Sequence, residues 1–229
     1  MRIPDRTRRR PPKKKGNKGC AVAAVFGVIV IILLSAFLFR SCVSGINNAL
    51  SGIGSNITAQ TYPIKYQNLV EKYSKKYDVD KYLVYAVIKA ESKFDQYAVS
   101  QAGAYGLMQL QTETASDCAK KLDLKVNLPD DLYVPDINIH IGTYYLSWLL
   151  DKYEGDISLA IAAYNGGIGN VDSWLKDERY KDGKGGLSDI PFAETKNYVT
   201  GVNSAYQKYK ELYESVSYTH LTLPTILRV

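Results

Sequence analysis

Residues 20 to 39 read CAVAAVFGVIVIILLSAFLF, twenty side chains without a charge. At helical rise such a run matches the roughly 30 Å hydrocarbon core of a bilayer. It is apolar on every face, which a surface-packed helix of a soluble domain is not. One membrane-spanning helix is therefore expected. Nine basic side chains and a single acid, Asp5, precede it in residues 1 to 18. Positive flanks stay on the cytoplasmic side, so the expected topology is single-pass, with the amino terminus in the cytoplasm and everything after Arg40 outside. A cleavable signal peptide is the rival reading, since it too puts a basic block before an apolar core. Against it, the run is longer than a signal core usually is, and Val43-Ser44-Gly45 is the best small-x-small site that follows. Arg40, two residues before Cys42, argues against a lipoprotein acceptor site.

The basic tail also accounts for the net charge of +6. Of 29 basic and 23 acidic side chains, nine and one lie in the tail, which leaves 20 and 22 for the other 211 residues. A slightly acidic folded part has no basic face to offer nucleic acid. No glycine motif of the kind that cradles phosphates is present. His140 is the one histidine before residue 216, and the scattered acids show no metal-ligand spacing, so neither a metal nor another cofactor is expected. Cys20, Cys42 and Cys118 are read as unpaired, although Cys42 with Cys118 is conceivable in an oxidising exterior.

Residues 40 to 61 are rich in Ser, Gly and Asn and read as a flexible linker. From residue 62 the pattern becomes helical. Leu69, Val70 and Tyr73 form one apolar stripe, and VDKYLVYAVIKAES forms a second helix with Asp80 as its amino-terminal cap. Further helices are predicted over about 112 to 122, 136 to 153, 157 to 164 and from near Glu194 onward. A short irregular hairpin is expected near 97 to 106, and the catalytic-size domain, residues 62 to 215, reads as mainly α-helical. Residues 216 to 225, VSYTHLTLPT, lack periodic continuity with the helix before them and resemble a translated sequencing-library adapter. Residues 216 to 229 are accordingly expected to be a non-native tail, with an ordinary disordered tail as the alternative.

Chemistry concentrates in ESKFDQYAVSQAGAYGLMQL, residues 91 to 110. On a helix Glu91 shares a face with Val87 and Ile88. A carboxyl set against that pair and covered by a loop loses solvent, which disfavours its charged form and suits a general acid. Gly103 and Gly106 permit close backbone approach to a ligand. Ser100 and Gln109 offer hydrogen bonds, and Met108 a soft apolar contact. Alone, a glutamate at a helix end is an ordinary solvated residue.

The stretch from Glu91 to Leu110 resembles the signature of the soluble lytic transglycosylases, members of the lysozyme-like α+β superfamily that cleave bacterial cell-wall glycan. NIHIGTYYLSWLL at 138 to 150, AIAAYNGGIGNV at 160 to 171 and IPFAETKNYVTGV at 190 to 202 are similar to three further segments of that family, in the same order. The resemblance covers residues 64 to 213. It implies Glu91 as the sole catalytic acid and base, with Ser100, Met108, Gln109, Tyr164, Asn165, Glu194 and Tyr198 lining or approaching the substrate cleft. Purely structural roles stand beside these: Met108 and Tyr164 as core, Asn165 as part of a helix end, Glu194 as a partner of a helix dipole. The chain departs from the family in lacking a proline after Met-Gln, where Gln111, Thr112 and Glu113 stand, and in carrying Gly166 after Asn165.

One carboxylate is enough if the substrate supplies a nucleophile. The implied reaction cleaves the β-1,4 bond after N-acetylmuramic acid, assisted by that sugar's own acetamido oxygen, and closes its 6-hydroxyl onto C1 to give a 1,6-anhydro product. The expected partners are peptidoglycan strands and, through residues 20 to 39, the cytoplasmic membrane. Lysozyme-like hydrolysis and a non-catalytic wall-binding module are the competing readings.

Overall fold

Helix boundaries follow the caps and breakers in the sequence. The computed structural model describes residues 40–41 and 60–219, with side chains as far as residue 214. The expected membrane span at 20 to 39, Cys20, Cys42 and nearly all of the linker lie outside the described residues. Among the described residues no helix is long and apolar enough to cross a membrane. The fold described below belongs to one compact unit that begins at Ala59.

Helix α1, Gln67–Tyr77, buries Val70 and Tyr73 and stops where Asp78 turns left-handed. Helix α2, Lys81–Ser92, starts at Asp80, whose carboxylate accepts the Tyr82 N–H at 2.8 Å. Every residue from Tyr82 to Ile88 is buried, so α2 is covered on all sides and runs through the centre of the domain. Lys93 and Phe94, both with positive φ, end it immediately after Glu91 and Ser92. A two-residue hairpin follows, β1 (Ala104–Tyr105) antiparallel to β2 (Leu110–Gln111), with an added bridge from Val99 to Tyr105.

After β2 come α3 (Thr112–Lys121), a 3-10 turn (Asp130–Tyr133), α4 (Pro135–Lys152), α5 (Ile157–Gly166) and α6 (Ile168–Trp174). The last helix, α7, runs Ala193–Thr219. Helix α2 packs on α7, α1 on α4, and α5 on both α4 and α7. Tyr85 of α2 stacks on Tyr209 of α7 with ring centroids 5.5 Å apart. Tyr209 and Tyr213 donate their hydroxyls to the carbonyls of Pro63 and Tyr62, tying α7 to the segment before α1.

The irregular hairpin expected near 97 to 106 is present: Val99 bridges Tyr105, and the Gly106 N–H donates to the Ala98 carbonyl at 2.9 Å. Gly106 then turns the chain back into β2; its φ is +74°, and a Cβ there would run into the Leu132 carbonyl and the Asn138 side chain. The sequence expectations differ from the structure in two places. Helix α6 was not expected, since the paired glycines read as a terminator. Gly167, at φ +84°, does end α5, but it starts α6 at the next residue. The α7 backbone continues past residue 215 to Thr219. Extending an existing helix fixes one residue per added hydrogen bond, whereas starting one is costly, so weak local periodicity does not stop it.

Candidate active site

The end of α2 places Glu91 at a cleft of about 330 Å³ between the hairpin loop on one side and α5 with the start of α7 on the other. Ser92, the last residue of α2, anchors the loop. Its hydroxyl donates to the Leu107 carbonyl at 2.8 Å and accepts the Phe94 N–H at 3.1 Å. Ser100, Gln109, Tyr164, Asn165 and Glu194 line the same cleft as Glu91, and with Tyr145 from residues 138 to 150 they bring all four sequence segments together. The Ser100 hydroxyl accepts the Ala104 N–H at 3.0 Å. Gln109, at φ +46°, donates its amide to the Ala98 and Gly106 carbonyls and thereby braces the loop it lies in.

Glu91 has one protein partner among the described residues. Tyr198, one turn into α7, donates its hydroxyl to Glu91 Oε1 at 2.6 Å. Burial drives the Glu91 carboxyl from an ordinary 4.5 up to about 7, and the Tyr198 hydrogen bond, which favours the carboxylate, holds it back from going higher. Near neutrality the group therefore exists as acid and as carboxylate in comparable amounts. Tyr198 and Tyr164 are both pushed well above the usual phenol range by burial and by the nearby Glu91 charge. Both hydroxyls therefore keep their protons near neutral pH and can donate them in hydrogen bonds. Tyr164 gives its hydroxyl to the Met108 carbonyl at 2.8 Å, which joins α5 to the loop across the cleft floor.

Met108 is the one expected site residue that the structure places elsewhere. Its side chain is 0% exposed and packs against Gly142 of α4, where a Cβ would collide with the Met108 sulfur. Only its main chain serves the site, through the carbonyl held by Tyr164 and the N–H donated to Asn138 Oδ1 at 2.8 Å. Asn138 is itself fully buried and also donates to the carbonyls of Tyr105 and Leu132. A single amide thus holds the loop, the hairpin and the 3-10 turn together. Sequence reasoning noted an asparagine-containing helix there but not this clamp. It also missed Thr114 and Tyr145, which line the cleft.

Acids other than Glu91 divide by position. Asp95 accepts the Tyr97 N–H at 2.9 Å in a local turn and does not line the cleft, whereas Glu194 does. Val87 and Ile88 are both fully buried behind Glu91, as the shared helix face required. Among the described residues no group of three His, Cys, Asp or Glu side chains could hold a metal ion. Cys118 is buried and has no disulfide partner among the described residues, and burial raises its thiol to about 11.

Residues 68–185 match the transglycosylase SLT domain family. The soluble lytic murein transglycosylase of Escherichia coli K12 is 31% identical over 154 residues, covering 66% of this chain and 24% of that protein. The membrane-bound lytic murein transglycosylase C of Photorhabdus laumondii is 36% identical over 166 residues, covering 63% of this chain and 46% of that protein. Among solved structures, an inactive glutamate-to-glutamine variant of the lytic transglycosylase Slt from Pseudomonas aeruginosa superposes with a TM-score of 0.62 at 34% identity, over 67% of this chain and 25% of that one. A soluble lytic transglycosylase in complex with bulgecin A gives 0.63 at 27% identity, over 80% of this chain and 29% of the other. The chain spans about a quarter of the soluble relatives' length and just under half of the membrane-bound ones'. Four convergent segments, a mainly helical fold shared with lytic transglycosylases and a domain match over half the chain agree: this chain belongs to the transglycosylase SLT domain family.

Proposed function

We propose that the chain is a membrane-anchored lytic transglycosylase that cleaves the N-acetylmuramic acid to N-acetylglucosamine β-1,4 bond of peptidoglycan and leaves a 1,6-anhydro end. The observation that carries this reading is the Glu91 carboxyl: buried at a cleft, raised to about 7, and gripped through one oxygen by Tyr198. A glutamate-to-glutamine change inactivates the similar Pseudomonas protein. Protonated Glu91 gives its proton to the leaving glycosidic oxygen while the muramic acetamido oxygen attacks C1 from its own ring. The carboxylate so formed takes the proton of the 6-hydroxyl, which closes onto C1 and expels the acetamido oxygen. No water is consumed, and the proton balance on Glu91 is zero over the cycle.

Each cleft residue has a part in this scheme. Ser100 faces the cleft from the loop and orients the acetamido group. Asn165, whose side-chain amide has no protein hydrogen-bond partner among the described residues, offers donor and acceptor to the sugar, with Gln109, Tyr164 and Glu194 completing the walls. Tyr198 steadies the carboxyl and stabilises its charged form during the second half of the reaction. Anchoring by residues 20 to 39, with the amino terminus inside, puts the domain on the wall side of the membrane. The likeness to membrane-bound transglycosylase C supports membrane association.

Lysozyme-like hydrolysis has one observation in its favour, because Glu194 is a second carboxylate on the cleft. Purified sacculi distinguish catalysis from binding: wild type clears them and Glu91→Gln does not. A Glu91→Gln protein that clears sacculi as fast as wild type removes Glu91 from the mechanism.

A further inference from the structure

Two adjacent glycines end α5, and backbone geometry explains only one of them. Gly167 has φ +84°, whereas Gly166 lies in the helix with no positive φ, so its dihedrals do not call for glycine. Its surroundings do. A Cβ at Gly166 would stand 2.9 Å from Thr195 Oγ1 and 3.0 Å from Thr195 Cγ2, closer than van der Waals contact allows. Thr195 is buried and β-branched. Two of the three positions on its Cβ carry heavy atoms, so no rotation of that side chain clears both from Gly166. A methyl group at 166 therefore moves a helix, and without one the first turn of α7 sits directly on the last turn of α5.

The contact lies beside the chemistry on both helices. Asn165, just before Gly166, lines the cleft, and so does Glu194, just before Thr195. Three residues beyond Thr195, on the same side of α7, Tyr198 reaches Glu91 with its hydroxyl at 2.6 Å. A shift of α7 at residue 195 is carried to residue 198, because close-packed interiors transmit strain and have little room to absorb it.

We infer that Gly166 is a positioning residue: lacking a side chain, it seats α7 against α5 and so sets the reach of the Tyr198 hydroxyl to Glu91. The inference rests on the proposed reading of the cleft, with Glu91 as acid and base. It adds that the hydrogen bond on Glu91 is tuned by packing at a residue that does not itself line the cleft.

The test follows kcat/KM on purified peptidoglycan against pH. Gly166→Ala adds the methyl group and, since alanine is the better helix former, does not weaken α5 itself. In this variant the decline of kcat/KM near neutral pH moves up by roughly half a pH unit, a part of what losing a whole hydrogen bond to a charged group would cause. In Gly166→Ala/Thr195→Ala the two methyl carbons meet at an ordinary 3.5 Å, and the decline returns to its wild-type position. In a Tyr198→Phe background Gly166→Ala moves the profile no further, because the bond it acts through is gone. A Gly166→Ala profile that coincides with wild type, or a shift that survives in the Thr195→Ala or Tyr198→Phe background, overturns the positioning role while the cleft reading stands. Wild type that releases no fragments from peptidoglycan at any pH overturns the cleft reading and this inference with it.

Discussion

Replacing Glu91 with glutamine tests the electrostatics of the site without any substrate. Burial raises the carboxyl from 4.5 to about 7, so between those values the folded protein holds a proton that the unfolded chain has released. Stability linked to this group is fully present below pH 4.5 and declines as pH rises through 7, because above it a charge must be kept in the cleft wall. The gap is roughly 2.5 pH units, and at about 1.4 kcal/mol each it amounts to at most about 3.5 kcal/mol. Glu91→Gln keeps an oxygen acceptor for Tyr198 and nearly the same volume, and it cannot ionise. The stability difference, variant minus wild type, is expected to grow in the variant's favour from pH 4.5 to pH 8 by about 2 to 3 kcal/mol. All other titrating groups are common to both proteins and cancel. Urea unfolding at a series of pH values, followed by aromatic fluorescence, measures the difference. A difference that stays constant across this range refutes the account of a desolvated Glu91.

Three other outcomes follow from the same geometry. Tyr198→Phe removes the hydrogen bond that favours the Glu91 carboxylate, so the decline of kcat/KM with pH, centred near 7 in wild type, moves to higher pH; a pH-rate profile reads the shift. Asn138→Ala leaves the Met108 N–H and the Tyr105 and Leu132 carbonyls without their partner, and is expected to cost about 3 to 5 kcal/mol in unfolding experiments and to loosen the loop facing Glu91. Thr112→Pro puts the missing proline at the first position of α3, where its N–H has no helical partner to lose, and calorimetry is expected to show a gain of about 0.5 to 1 kcal/mol.

Local signals were the readable ones. Asp80 announced a cap, and the periodic segments announced α3, α4 and α5 to within two residues at most ends. Ser100, Gln109, Tyr164, Asn165 and Glu194 could be placed on the cleft because each sits in a short motif whose order along the chain was intact. What escaped depends on partners far away in sequence. Whether Met108 faces sugar or core is decided by Gly142, whose missing side chain opens the hole that the thioether fills. Nothing near Asn138 in sequence shows that its amide will meet three segments, and Tyr198 reaches Glu91 across 107 residues. Helix α6 was hidden because a positive-φ glycine both ends one helix and permits another to begin.

The scheme differs from hydrolysis in a single atom count, since no water enters the product. Mass spectrometry of the muropeptides that the wild-type chain releases from purified peptidoglycan measures this directly. The expected products end in 1,6-anhydro-N-acetylmuramic acid and lack a reducing end, and Glu91→Gln releases none of them. Products that carry a free reducing end, one water heavier, would contradict the account and make Glu194 the candidate base of a hydrolase.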